Sequence, residues 1–156
     1  SCWIFTFNCF WICFIVNLFK KMILKKIIRI ASNTENYGLS NEKAHKATVK
    51  NKTCGDKISI EITLKNNKMS KMRYETESCI YCEASASLLS KKIKMFSKDK
   101  IRKQMVIFNN FIQINRKSLP KKYKDFKDLM NHRNSNRIDC IMLPYNALLK
   151  AVKIKK

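Results

Sequence analysis

Apolar and polar residues alternate strictly from Ile58 to Leu64 (Ile58-Ser59-Ile60-Glu61-Ile62-Thr63-Leu64), the period of a strand with one buried face. Asn66-Asn67 interrupts the pattern within Lys65 to Lys68, and Met69 to Thr76 returns as a partner strand in mixed register, which predicts a β-hairpin. Ala44 to Val49 adds a short strand. Helical spacing marks Ile23 to Ile30, where apolar residues group around Lys25, Lys26 and Arg29. It recurs over Ala84 to Met95, with Leu88, Leu89 and Ile93 on one face, and over Ile101 to Ile114, Lys124 to Asn131 and Arg137 to Lys150. Asn33 to Gly38, Leu119-Pro120 and Asn134 to Asn136 read as turns and loops. The order predicts an α+β domain, a small antiparallel β-sheet with helices packed on one face. There is no internal repeat and no Gly-rich phosphate loop, Gly38 and Gly55 being the sole glycines.

Upstream of this pattern, Ser1 to Phe19 carries no charge and is followed by Lys20 and Lys21. As a helix it would run about 28 Å, close to a bilayer core. Residues 1–21 are therefore an apolar leader with two readings, an upstream extension outside the domain or a membrane anchor. In the second reading Lys20, Lys21, Lys25, Lys26 and Arg29 hold the domain on the cytoplasmic side, and membrane contact is expected only then. Met22 opens a run that reads naturally as a start, and residues 22–156 are taken as one domain.

The chain has 156 residues, 46% of them hydrophobic, enough for one core and hardly for two. Its net charge of +22 raises nucleic acid as a partner. The excess is mostly Lys, 27 against 6 Arg, and it is spread along the chain with many Asn and Ile. Phosphate recognition favours Arg clustered in one stripe, so no specific nucleic-acid partner is expected. Of seven cysteines, Cys2, Cys9 and Cys13 lie in the leader, leaving Cys54, Cys79, Cys82 and Cys140 for the domain. An odd count without a secreted spacing points to a reducing compartment, cytoplasm or an organelle matrix, and to metal-binding or redox thiols.

Chemistry concentrates at Cys54-Gly55-Asp56, at Cys79-Ile80-Tyr81-Cys82 and at Arg137-Ile138-Asp139-Cys140. Glycine permits a turn that other residues resist, so Cys54 and Asp56 can face one ion. Cys79 sits where a strand ends and a helix of small residues begins, facing unpaired N–H groups, a setting suited to sulfur as ligand or nucleophile. Three thiolates and one carboxylate match tetrahedral zinc or an iron–sulfur cluster, and the harder oxygen ligand is the one that can yield its place. Dispersed cysteines are also common as small buried hydrophobes. Cys79-x-x-Cys82 reads in addition as a redox dithiol or a zinc half-site, although the βαβ context of a thioredoxin-like motif is missing. Cys82 itself stays open among spare thiol, resolving thiol and substitute ligand. His45 and His132 read as surface or packing residues.

The ordered set Cys54-Gly55-Asp56, Cys79-x-x-x-x-Ala84-Ser85-Ala86-Ser87 and Arg137-x-x-Cys140-x-x-Leu143-Pro144-Tyr145-x-Ala147-Leu148 resembles the U-type iron–sulfur cluster assembly scaffolds, the NifU N-terminal, IscU and SufU family. Asn36-Tyr37-Gly38 resembles the early loop of that family. The resemblance implies Cys54, Asp56, Cys79 and Cys140 as metal ligands, the three cysteines as cluster ligands, and Cys140 as sulfur acceptor. It implies a transient iron–sulfur cluster or Zn2+, a cysteine desulfurase as sulfur source, and apo iron–sulfur proteins as recipients. Asp139 stands where IscU members have histidine, and the chaperone motif Leu-Pro-Pro-Val-Lys is missing, which places the chain nearer the SufU-like branch. Lys52 and Glu77-Ser78 also depart from the family pattern beside two of the cysteines. The expected function is a scaffold or sulfur acceptor rather than a stand-alone enzyme. Two alternatives stand beside it: a zinc-bound sulfurtransfer partner of the desulfurase, and a basic binding module with structural cysteines.

Overall fold

The computed structural model describes residues 3–42, 45–114 and 118–153, with side chains of the first helix from residue 11 on. Ala44 of the first expected strand, Cys2 and the Cys9 side chain lie outside the described residues. The chain runs α1 (Trp3–Ala31), β1 (His45–Lys50), β2 (Lys57–Lys65), β3 (Lys68–Glu77), α2 (Ile80–Lys91), α3 (Ile101–Ile114) and α4 (Ile138–Val152). Short 3-10 turns cover Ile93–Met95, Lys121–Phe126 and His132–Arg137.

The three strands form one antiparallel sheet in the order β1-β2-β3. Asn66 and Asn67 close the β2–β3 hairpin with φ of 50° and 59°, the left-handed values that a two-residue hairpin turn demands and that Asn tolerates. Met69 and Met72, three apart, would face opposite sides of a regular strand, yet both are buried. A bulge between Thr63 and Leu64 resolves this by pairing Leu64 with Met69 while Ile62 pairs with Met72. That irregularity is why the alternation in β3 is blurred. Ile58, Ile60, Ile62, Met72 and Tyr74 turn to the core, where α2 and α4 cover them. The fold is thus the expected α+β arrangement with helices on one face of a small sheet.

Three details differ from expectation. The first helix is longer than the expected Ile23 to Ile30, running from Trp3 to Ala31. Its later turns bury Ile27 and Ala31, while Trp11, Ile12, Phe14, Val16, Leu18 and Phe19 remain exposed. Among the residues whose side chains are described, no helix is long and apolar enough to cross a membrane. The expected helix over Lys124 to Asn131 is instead a 3-10 turn at Lys121–Phe126, led in by Pro120, whose fixed φ favours such a start. Asn134 to Asn136, expected as a loop, lies within the 3-10 turn His132–Arg137, capped by Asn131 Oδ1 accepting the Arg133 N–H at 2.9 Å. His132 is an exposed surface residue, its Nδ1 lying 2.5 Å from the Ile112 carbonyl.

One carboxylate is buried on the sheet's polar face. Glu61, 3% exposed, pairs with Lys46 Nζ at 2.9 Å and accepts the N–H groups of Ser40 at 2.7 Å and Asn41 at 2.9 Å. Burial pushes its carboxyl up, but Lys46 and the Ser40 and Asn41 donors outweigh it and hold the pKa down at about 2. A depressed folded-state value stabilises above the unfolded value of 4.5, and that contribution is lost as pH falls from 4.5 toward 2. Glu61→Gln is expected to lower stability by about 2 kcal/mol at pH 7, leaving a donor against the N–H groups. Urea unfolding at pH 7 and pH 3 checks this: the difference between wild type and variant shrinks at the lower pH, and an equal difference at both would refute the assignment.

Candidate metal centre

The loop before β2 is shaped by Asn51. Its Oδ1 accepts the Thr53 N–H at 2.9 Å, its carbonyl accepts the Gly55 N–H at 2.9 Å, and its own N–H donates to the Asp56 carbonyl at 2.7 Å. These bonds close the chain on itself, and Gly55 supplies the left-handed φ of 79° that the closure needs. Sequence reading overlooked Asn51; the signal was there in an Asn that can form an Asx turn ahead of Cys-Gly. A Cβ at position 55 meets nothing within 4 Å, so Gly55→Ala costs only backbone strain. Its expected destabilisation is about 1 kcal/mol, read as a lowered thermal midpoint. A larger loss of metal affinity than of stability is expected, because the turn aims Cys54 and Asp56.

Asp56 links this loop to the next element. Its Oδ1 accepts the backbone N–H of Cys79 at 3.1 Å. The other oxygen, Oδ2, is buried without a hydrogen-bond partner among the described residues. An orphaned buried carboxylate oxygen is costly unless something cationic meets it.

Cys79 is the N-cap of α2, with extended backbone, and its carbonyl accepts the Glu83 N–H at 3.1 Å. The small residues that follow let α4 approach: Ser85 Oγ donates to the Ile141 carbonyl at 2.6 Å. That contact fixes Cys140, which sits in the first turn of α4. Pro144 lacks an N–H, so the Cys140 carbonyl four residues back loses its usual helical donor and the turn bearing the thiol is loosened. Two helix N-termini, and hence two positive dipole ends, converge on the sulfurs.

The ligand atoms of Cys54, Asp56 and Cys140 all lie within 4.8 Å of one another. Cys79 is outside that trio, although its thiol neighbours the Cys140 thiol. Asp56 and Cys140 are 7% and 6% exposed, Cys79 is half-buried, and Cys54 is exposed, so the cluster opens to solvent on one side. Burial first, then Cys79, Asp56 and Cys54 nearby, push the Cys140 thiol well above its ordinary value. Several potential anions in one place oppose one another's ionisation, and a bound metal ion would reverse that penalty. Soft sulfur with one oxygen fits iron or zinc. A groove of about 430 Å³ runs beside the trio, lined by Lys50, Lys52, Thr53, Asp139, Met142 and Asn146 among others.

Cys82 is fully buried one helical turn below Cys79. Burial pushes its thiol up to about 12. The Thr76 hydroxyl lies 4.0 Å from its sulfur. It does not join the trio. His45, in β1, and His132 are likewise absent from it.

Comparison with known proteins identifies a family. Residues 22–155 match the model of the NifU-like N-terminal domain. A protein of Borreliella burgdorferi described only as uncharacterized is 30% identical over 134 residues, covering 85% of this chain and 90% of its own. The N-terminal domain of a nitrogen-fixing NifU-like protein from Brucella abortus superposes with a TM-score of 0.72 at 21% identity, over 83% of this chain and 90% of that one. A proposed iron–sulfur cluster assembly scaffold for the SUF system of Fervidobacterium islandicum superposes with a TM-score of 0.68 at 19% identity, over 81% of this chain and 93% of that one. The model match spans most of the chain and the two structures share its fold; the chain belongs to the NifU-like N-terminal domain family of iron–sulfur cluster assembly scaffolds.

Proposed function

We propose that this chain assembles a nascent iron–sulfur cluster on Cys54, Cys79 and Cys140, with Asp56 as the exchangeable oxygen ligand and sulfur supplied by a cysteine desulfurase. The observation that carries this reading is the convergence of two sulfurs and one carboxylate within 4.8 Å around an unpartnered buried Asp56 Oδ2. Cys54, the most exposed of them, is where iron or sulfur enters and where the product leaves. Asp56 orients the site as well as ligating, because its second oxygen holds the start of α2. Cys140, loosened by Pro144, accepts the incoming sulfur. The groove along Lys50, Lys52 and Asp139 receives the donor enzyme, and apo iron–sulfur proteins take the finished cluster, in the cytoplasm or an organelle matrix.

A second reading keeps the site and changes the cargo: zinc orders the trio, and the protein relays sulfur without holding a cluster. Asp139, where a histidine ligand neighbour would stand in IscU members, favours it. The full chain, purified without oxygen and analysed for iron, zinc and acid-labile sulfide, separates the two. Iron and sulfide with visible charge-transfer absorption support the scaffold. About one zinc per chain without sulfide supports the relay, and a chain that binds neither metal after reconstitution overturns both.

A further inference from the structure

Cys82 is a nucleophile that the site as described leaves unused. It occupies the third helical position of α2, and Cys79 is the N-cap of the same helix. The Cys79 side chain makes no capping hydrogen bond, so its thiol is not tied to the first turn and turns about χ1 between rotamers. Residues three apart on a helix lie about 5–6 Å apart at their β carbons, and a disulfide requires about 3.5–4.5 Å. The difference falls on Cys79, an N-cap with extended backbone (φ −69°, ψ 161°), and closing it strains the Asp56 contact to the Cys79 N–H rather than the bonds inside the helix. Cys79 is also the sulfur that stands outside the close trio while neighbouring Cys140. It therefore has one thiol on each side, an acceptor position above and a fully buried thiol below.

We propose that Cys79 and Cys82 form a dithiol that reduces sulfane sulfur delivered to this site into sulfide. The proposal rests on the reading that Cys140 accepts sulfur as a persulfide. In the first step the Cys79 thiolate attacks the outer sulfur of the Cys140 persulfide. A new sulfur–sulfur bond forms on Cys79, the bond to Cys140 breaks, and Cys140 leaves as thiolate. In the second step the Cys82 thiol attacks the Cys79 sulfur and gives its proton to the outer sulfur, which leaves as hydrosulfide. The sulfane sulfur gains two electrons, and Cys79 and Cys82 lose one each as their disulfide forms. An external dithiol reductant restores the pair for the next cycle.

Burial suits Cys82 to this task. At 0% exposure it is shielded from dissolved oxidants and from persulfide donors in solution, so only sulfur already carried on Cys79 reaches it. The hydroxyls of Thr76 and Ser78, 2.6 Å from each other, lie beside it, Thr76 within 4.0 Å, and provide polar contacts to the thiol. Attack within one helical turn carries the high effective concentration of an intramolecular reaction.

The test uses the reduced full chain, free of metal and oxygen, treated with glutathione persulfide and desalted. Sulfide is trapped and counted, and the single tryptic peptide from Tyr74 to Lys91 is weighed for an internal disulfide. Wild type is expected to release about one sulfide per chain, matched by loss of two hydrogens in that peptide. In Cys82→Ser, and in Cys82→Ala as a second variant, the sulfur stays as a persulfide on Cys79 or Cys140 and sulfide release falls at least about tenfold. Circular dichroism confirms that each variant is folded. A wild-type chain that loads sulfur but keeps Cys79 and Cys82 reduced overturns this inference and spares the acceptor reading. Undiminished sulfide release from both variants also overturns it, and failure of sulfur to load on any cysteine overturns the two together.

Discussion

Cys140→Ser is expected to leave the chain folded and unable to retain iron and sulfide, with metal affinity reduced at least about 100-fold. The side chain is almost isosteric with cysteine, so the buried site at the start of α4 tolerates it at a cost of about 1 kcal/mol. What disappears is the soft ligand. Cys140 is the sulfur through which α4 joins the loop of Cys54 and Asp56, and a neutral hydroxyl neither balances a cation nor accepts sulfur. Iron and acid-labile sulfide per chain, measured after anaerobic reconstitution and desalting, give the readout. Cys13→Ser, on the exposed early part of α1, is the matched control and should load normally. Full retention by Cys140→Ser would move the cluster away from this site.

Phe108→Ala is expected to cost about 4 kcal/mol. The ring is fully buried in α3 and stacks against Phe96, Tyr123, Phe126 and Tyr145, with centroids 6.3, 5.0, 5.1 and 5.5 Å away. Removing it opens a cavity at the hub of that cluster, and the surrounding rings, Tyr123 and Tyr145 edge to face with it and Phe96 and Phe126 tilted against it, have little room to collapse. In a chain of this size the thermal midpoint should drop by about 10 °C. Tyr145 belongs to α4, so the loss also loosens the helix that carries Cys140. Below the unfolding transition, however, iron loading should persist, since no ligand is touched. Urea or thermal unfolding of the metal-free chain checks the magnitude, and a loss under about 1 kcal/mol would mean that this aromatic cluster does not hold the helices together.

Glu61 shows where pattern reading reaches its limit. Alternation in Ile58 to Leu64 places it on the polar face of β2, and the periodicity alone predicts a solvated carboxylate. It is buried because Ser40 and Asn41, brought over from the early loop, cover it with their N–H groups. The same loop is tied down by Arg73, whose guanidinium donates to the carbonyls of Tyr37 and Gly38 at 2.8 and 2.6 Å. Neither contact has a local sequence signal, since partners so far apart along the chain meet only after the sheet forms. The bulge in β2–β3 is similar: the hairpin and its Asn-Asn turn follow from composition, whereas the register depends on Met69 and Met72 both finding the core.

For the site, Cys54-Gly55-Asp56 is legible because glycine between two donors has a local conformational meaning, here a φ of 79°. The position of Cys79 at a helix start is also local, set by the end of β3 and the run of small residues after it. The sequence by itself determined the period of each main element, the α+β order and the residue types able to hold a soft metal. Only the tertiary structure decided which of those sulfurs meet. Packing of α4 on α2 through Ser85 carries Cys140 to the Cys54 loop, leaves Cys79 beside it rather than within it, and seals Cys82 beneath. The physical reason is that hydrophobic periodicity and turn chemistry act over a few residues, whereas a metal centre is drawn together by helix packing between segments far apart in the chain.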